Sequence, residues 1–168
     1  MKLCIPAVQT ALLVVGLVGC KPPAMAEEFV RLTATGPVSG EIDHVVDRGR
    51  VEGDAVGIVC MGPWPTINIS LAESGERPFG IQLQMRLPAG AGAGDYALSI
   101  SGANNSARVT TQFITDGSRA LGIVQDGQLA IKALDEGYAG TFDMTLRDGG
   151  AQTLSGSFRI TLTTGSCP

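Results

Sequence analysis

Residues Phe142-Asp143-Met144-Thr145-Leu146-Arg147 alternate apolar and polar without a break, and Phe158-Arg159-Ile160-Thr161-Leu162-Thr163 repeat the pattern. Successive side chains of a β-strand point to opposite faces, so each stretch has one buried face and one wet face. Asp148-Gly149-Gly150 lies between them and supplies a turn, because glycine tolerates the positive φ that tight hairpins need. Two strands joined by a short turn, each dry on one side only, read as a hairpin of an antiparallel sheet.

The same signal runs outward from this hairpin. Ile67, Ile69 and Leu71 face away from Asn68 and Ser70; Ile81, Leu83, Met85 and Leu87 face away from Gln82, Gln84 and Arg86. Tyr96, Leu98 and Ile100 form one face of a further strand, and Val109, Thr111 and Phe113 one face of the next. Earlier, Phe29 to Ala34 alternates, Val38 to Val46 reads as a second strand and Val51 to Cys60 as a third. Met61-Gly62-Pro63-Trp64-Pro65 reads as a loop, since its prolines remove ladder donors. Asp116-Gly117 and Asp126-Gly127 read as hairpin turns, which makes the C-terminal half a meander of about five strands. The helical period appears nowhere. About ten strands are too many for one flat sheet, so the expected fold is all-β: an antiparallel β-sandwich or flattened barrel, immunoglobulin-like or jelly-roll-like.

Ahead of this domain, Lys2 precedes an apolar run from Ile5 to Val18, too short to span a bilayer and suited to a cleaved secretory leader. The run ends in Leu17-Val18-Gly19-Cys20, which resembles the lipobox of bacterial lipoproteins. The resemblance implies a signal peptide over 1–19, acylation of Cys20 and anchoring in a lipid bilayer through its acyl chains. It then implies a tether over 20–28 and one domain over 29–168. Lys21, rather than the Asp that marks inner-membrane retention, implies the outer membrane, with the domain in the periplasm. A second site, Ala24-Met25-Ala26, fits ordinary cleavage and would release a soluble periplasmic or secreted protein, an inhibitor or carrier. Both cuts stay open.

Removing the leader also removes Lys2 and leaves 11 Lys and Arg against 16 Asp and Glu, a net charge of −5. That balance argues against nucleic acid as a partner, and the lipoprotein resemblance implies an envelope protein instead. Cys4 leaves with the leader and Cys20 is acylated or removed, so Cys60 and Cys167 remain as a disulfide pair in an oxidising compartment.

Chemistry-bearing motifs are sparse. His44 is the only histidine, and a metal site from Asp43, His44 and Asp47 would need a carboxylate-dominated set, so no metal is expected. No Gly-x-Ser-x-Gly elbow occurs. Gly90-Ala91-Gly92-Ala93-Gly94-Asp95 lacks the ending of a phosphate loop and reads as a loose connection. The expectation is a protein that is not an enzyme and carries no cofactor. Trp64, the only tryptophan, is framed by Pro63 and Pro65, and it reads either as a plug over the core or as a ring presented to a ligand. If strands alternate in direction, loops 61–65, 88–94, 116–118 and 135–140 share one end and bring Trp64 and Tyr138 together as candidate binding residues. Loops 73–78, 102–106, 126–127 and 148–150 would share the opposite, charged end.

Overall fold

The computed structural model describes residues 27–46, 55–73, 79–103, 105–115, 118–134, 137–147 and 151–164. The leader, Cys20, most of the tether, Asp47 and Cys167 lie outside them. The described residues form ten strands and no helix: β1 (Phe29–Thr35), β2 (Gly40–Val45), β3 (Ala55–Met61), β4 (Trp64–Glu73), β5 (Phe79–Arg86), β6 (Gly94–Ser99), β7 (Ala107–Thr115), β8 (Ser118–Leu134), β9 (Gly137–Arg147) and β10 (Ala151–Thr164). Among them, no helix is long and apolar enough to cross a membrane.

All ten strands join one curled sheet, a half-barrel, in the order β2-β1-β10-β3-β4-β5-β7-β6-β8-β9, with β10 also paired to β9 and β7 to β8. The all-β expectation is borne out. The sheet is mixed rather than purely antiparallel, because β6 runs parallel to β7 and the end of β10 runs parallel to β3. The C-terminal meander is present, with β7, β8, β9 and β10 pairing in sequence.

The meander has one hairpin fewer than expected, because Asp126-Gly127 is not a turn. It lies inside the 17-residue strand β8, where the register against β9 shifts between Val124 and Asp126. Gln125 is the extra residue of a β-bulge, so Gln125 and Asp126 are both exposed while Val124 and Gly127 are both buried. The Asp126 carboxylate accepts the Gly127 N–H at 2.8 Å. A β-carbon at 127 would lie 2.5 Å from the Asp143 carbonyl oxygen, so glycine is needed for close approach and not for a turn. The dipeptide Asp-Gly serves both geometries, which is why the pattern misleads here.

The inward residues of both halves of the sheet form one core, including Val30, Leu32, Ile58, Ile67, Ile81, Leu83, Met85, Phe113, Phe142, Leu154, Phe158 and Ile160. Ile100 is not among them: β6 ends at Ser99 and Ile100 is 55% exposed. One polar residue is built into the core. Gln152, 2% exposed, accepts from Val38 N–H at 2.9 Å and donates to the carbonyls of Thr35 and Val38 at 3.1 and 2.9 Å. It thereby ties the partly buried backbone groups of the β1–β2 turn to the core. At the other end of β1, Glu28 accepts the Val46 N–H on its carbonyl at 3.0 Å and the Thr161 N–H on its carboxylate. The last residue assigned to the tether is thus held by the domain.

Candidate functional site

Register decides which strand ends meet. Cys60 pairs with Pro65 and Met61 with Trp64, while Thr66 pairs with Arg86 and Arg86 with Arg108. The end of β5, the start of β7 and the β3–β4 turn therefore stand together. Because β6 runs parallel to β7, the connection after Ser99 also comes to this end, so Ser101, Gly102 and Ser106 sit beside Trp64 and Arg108. The expected grouping of loops by alternating direction is corrected on this point. Phe79 pairs with Thr115, which pairs with Ser118, so Thr115 and Ser118 stand at the end opposite Trp64, while 116 and 117 lie outside the described residues. Parity failed because it assumes a purely antiparallel sheet.

Trp64 begins β4 rather than lying in a loop, and Pro65 is the second residue of that strand. The Pro65 carbonyl accepts from Leu87 N–H at 2.8 Å, while the absent proline N–H costs nothing at a strand start. The ring is 38% exposed and is not part of the core. The Arg86 guanidinium lies 4.3 Å from the ring centroid, a cation–π contact. Trp64, Arg86, Pro88, Ser101, Ser106 and Arg108 line a recess of about 110 Å³.

The walls of this recess are firmly built. The Ser99 and Ser106 hydroxyls are 2.7 Å apart, and Ser99 Oγ accepts the Gly102 N–H at 2.9 Å. Gly102 has φ 69°, and a β-carbon there would lie 3.0 Å from that of Arg108. Glycine is required both by conformation and by the arginine beside it. The glycine-rich stretch after Pro88 is not loose. Tyr96 donates to the Gly92 carbonyl and Tyr138 to the Ala91 carbonyl, each at 3.0 Å, and Gly90 N–H donates to Pro63 at 3.3 Å.

Tyr138 stands on β9, paired with Ile160 and Ala133, and packs against the core. It is partly buried and reaches the Trp64 end through this brace. Burial, with neighbouring Tyr96 adding to it, raises the Tyr138 phenol above its ordinary 10.0. The hydroxyl therefore stays protonated, as its hydrogen bond requires.

Two features were missed in the sequence. The first is the cross-strand pair Arg86–Arg108. No acidic side chain among the described residues pairs with either arginine. Like charges directly opposite on a sheet are destabilising. The second is the rest of the same outer face. Asn68, Gln84 and Thr110 form the next row, and Ser70, Gln82, Gln112 and Leu121 the row after. The alternation marks all of these but the apolar Leu121 as outward, but nothing local shows that they adjoin.

The remaining sequence candidates lie apart from this end's chemistry. Asp43 and His44 are neighbours on β2 and so point to opposite faces, and Asp43 binds Arg31 at 2.9 Å. Among the described residues no group of three or more His, Cys, Asp and Glu side chains converges. Cys60, on β3, is disulfide-bonded. Comparison of the chain with protein-family models, curated proteins and solved structures returns no match.

Proposed function

We propose that this chain is a membrane-anchored envelope lipoprotein whose β-domain binds an envelope component and performs no catalysis. The observation that carries the reading is Leu17-Val18-Gly19-Cys20 at the end of a leader-like apolar run. Acylated Cys20 would hold the domain on a bilayer, at the outer membrane and facing the periplasm, with Lys21 to Glu27 as tether. Ala24-Met25-Ala26 supports the second reading, a soluble periplasmic or secreted protein. The exposed Trp64 beside two arginines supports placing the binding function at that end of the sheet. We read the half-barrel as a flattened barrel rather than an immunoglobulin-like or jelly-roll-like sandwich. In support, β8 pairs with β7 over Ser118–Gly122 and with β9 beyond, and β10 pairs with β9, β1 and β3, so both strands bridge the two halves. We assign Cys167 as the partner of Cys60, because β10 reaches β3 at Thr164↔Val59, three residues before Cys167.

One preparation tests the anchor and the bridge. Palmitate should label the wild-type protein and not Cys20→Ala, and alkylation without reductant should leave Cys60 and Cys167 unmodified. An unlabelled wild-type protein beginning at Glu27 would sink the anchor in favour of the soluble reading. Two alkylated thiols would sink the bridge.

A further inference from the structure

We propose that the outer face of β4, β5 and β7, with the Trp64–Arg86–Arg108 corner at its end, binds an acidic glycan, a sugar chain carrying carboxylate or phosphate groups. The inference rests on the reading that the Trp64 end is the binding end, and it names the ligand class.

Charge is the first argument. The chain is net acidic, yet it places two arginines directly opposite each other with no acidic side chain of the described residues to neutralise them. An oxyanion between the two guanidinium groups would turn that repulsion into paired charge-assisted hydrogen bonds. Gly102 and the Ser99–Ser106 hydrogen bond hold the wall beside Arg108, so the recess is preorganised.

The rest of the face argues for sugar rather than protein. Outward residues two apart on a strand are about 7 Å apart, so the amide rows continue from the arginines along a strip of roughly 14 Å. Asn68, Ser70, Gln82, Gln84, Thr110 and Gln112 carry no charge, and they line a groove of about 340 Å³. Each amide offers two donors and an acceptor, which suits hydroxyls that both donate and accept. Gln84 Nε2 donates to Asn68 Oδ1 at 2.9 Å, which orients both amides and leaves Asn68 Nδ2 and Gln84 Oε1 uncommitted among the described residues. Trp64, 38% exposed, and Leu121, 62% exposed, are apolar surfaces at the two ends of the strip. Each can take the C–H face of a sugar ring. A protein partner would ask for a cluster of apolar anchors in the centre, where this face has amides.

Trp64 is the only tryptophan, so its fluorescence reports this corner alone. The full-length protein in detergent micelles is titrated with oligogalacturonate, with glucose 6-phosphate, with maltohexaose as the neutral sugar and with oligoglutamate as the acidic peptide. Oligogalacturonate, glucose 6-phosphate or both should change Trp64 emission saturably, and which one responds identifies the acidic group. Maltohexaose should bind at least about tenfold more weakly, the scale of one lost charge-assisted hydrogen bond. Arg108→Gln should weaken the responding ligand by about tenfold or more with a melting temperature no lower than that of the wild type. Arg86→Gln serves in its place if Arg108→Gln melts early. No saturable response to either acidic sugar overturns the proposal, as does oligoglutamate binding as tightly as oligogalacturonate. If the acidic sugars fail while Trp64→Ala folds normally and loses envelope partners in pull-down, the Trp64 end stands and only the glycan assignment falls. If Trp64→Ala also keeps its partners, both fall.

Discussion

Each half of the curled sheet lays an arginine over an aromatic ring on its outer surface, and the two arginines are treated differently. Arg31, on β1, lies 5.0 Å from the centroid of Phe29 and donates to Asp43 at 2.9 Å. Glu41, Asp143, Lys132 and Arg159 share its side of the sheet, so acid and base are interleaved there. Arg86, on β5, lies 4.3 Å from the centroid of Trp64 and faces Arg108 across the ladder instead of a carboxylate. Beyond it come two rows of amides and hydroxyls, bordered on β8 by Leu121 and the exposed Ile123, before Ile114 and Arg119 follow in the next row. A surface that neutralises its own charges serves solubility and register. A surface that leaves two like charges opposed beside amides that keep free donors and acceptors fits the proposed binding role. The difference supports the proposed binding face more firmly than any single residue does.

The interior repeats the contrast and supplies the largest test of it. Beneath the amide face the inward positions are mostly branched or long aliphatics, Ile67, Ile69, Ile81, Leu83 and Met85, all buried, with Phe79 and Phe113 beside them. Leu83→Ala should cost about 2–5 kcal/mol, since it removes buried atoms and leaves a cavity. Urea unfolding followed by circular dichroism would read the loss. A cost below about 1 kcal/mol would show that this half of the core can collapse around a gap, which a closely packed interior cannot do.

Beneath the charged face, glycines alternate with aromatic rings. Gly156 pairs with Phe142 and Gly140 with Phe158. A β-carbon at 156 would lie 2.4 Å from the Arg31 carbonyl oxygen and 2.8 Å from the Phe142 ring, and the backbone atom cannot swing away. Gly156→Ala should therefore cost about 1–3 kcal/mol by overpacking. The amide half is broken by taking atoms away, the charged half by adding them. A Gly156→Ala protein as stable as the wild type would mean that β1 and β10 can move apart without penalty, and the contrast between the two interiors would fail.

Much of this was legible in the sequence, for a physical reason. Strands with one wet face write their alternation directly, as in Ile81-Gln82-Leu83-Gln84-Met85-Arg86, so element type and outward residues can be read off. The bulge in β8 also left a trace: Val124 and Leu129 are buried at an odd spacing, so the alternation changes phase between them. Asp-Gly hid it by resembling a turn. The Arg86–Arg108 pair left no such trace. Its two residues adjoin only because β5 pairs with β7 and not with β6, which follows it in the chain. Non-local pairing depends on how the whole core closes, and no window of sequence carries it.

The smallest effect separates the two arginine sites by sign. Asp43→Asn removes an exposed ion pair and should cost about 0.2–1 kcal/mol, since both side chains of that pair are more than half exposed. Arg108→Gln, without ligand, removes a like charge facing Arg86 and should gain up to about 0.5 kcal/mol. Both changes should shrink as salt rises, because both are screened. Urea melts at low and high ionic strength would measure them. If Arg108→Gln destabilises the free protein as much as Asp43→Asn does, Arg108 already has a stabilising partner within the fold. The charge at the Trp64 corner would then be committed to structure, and the two faces would differ in composition but not in purpose.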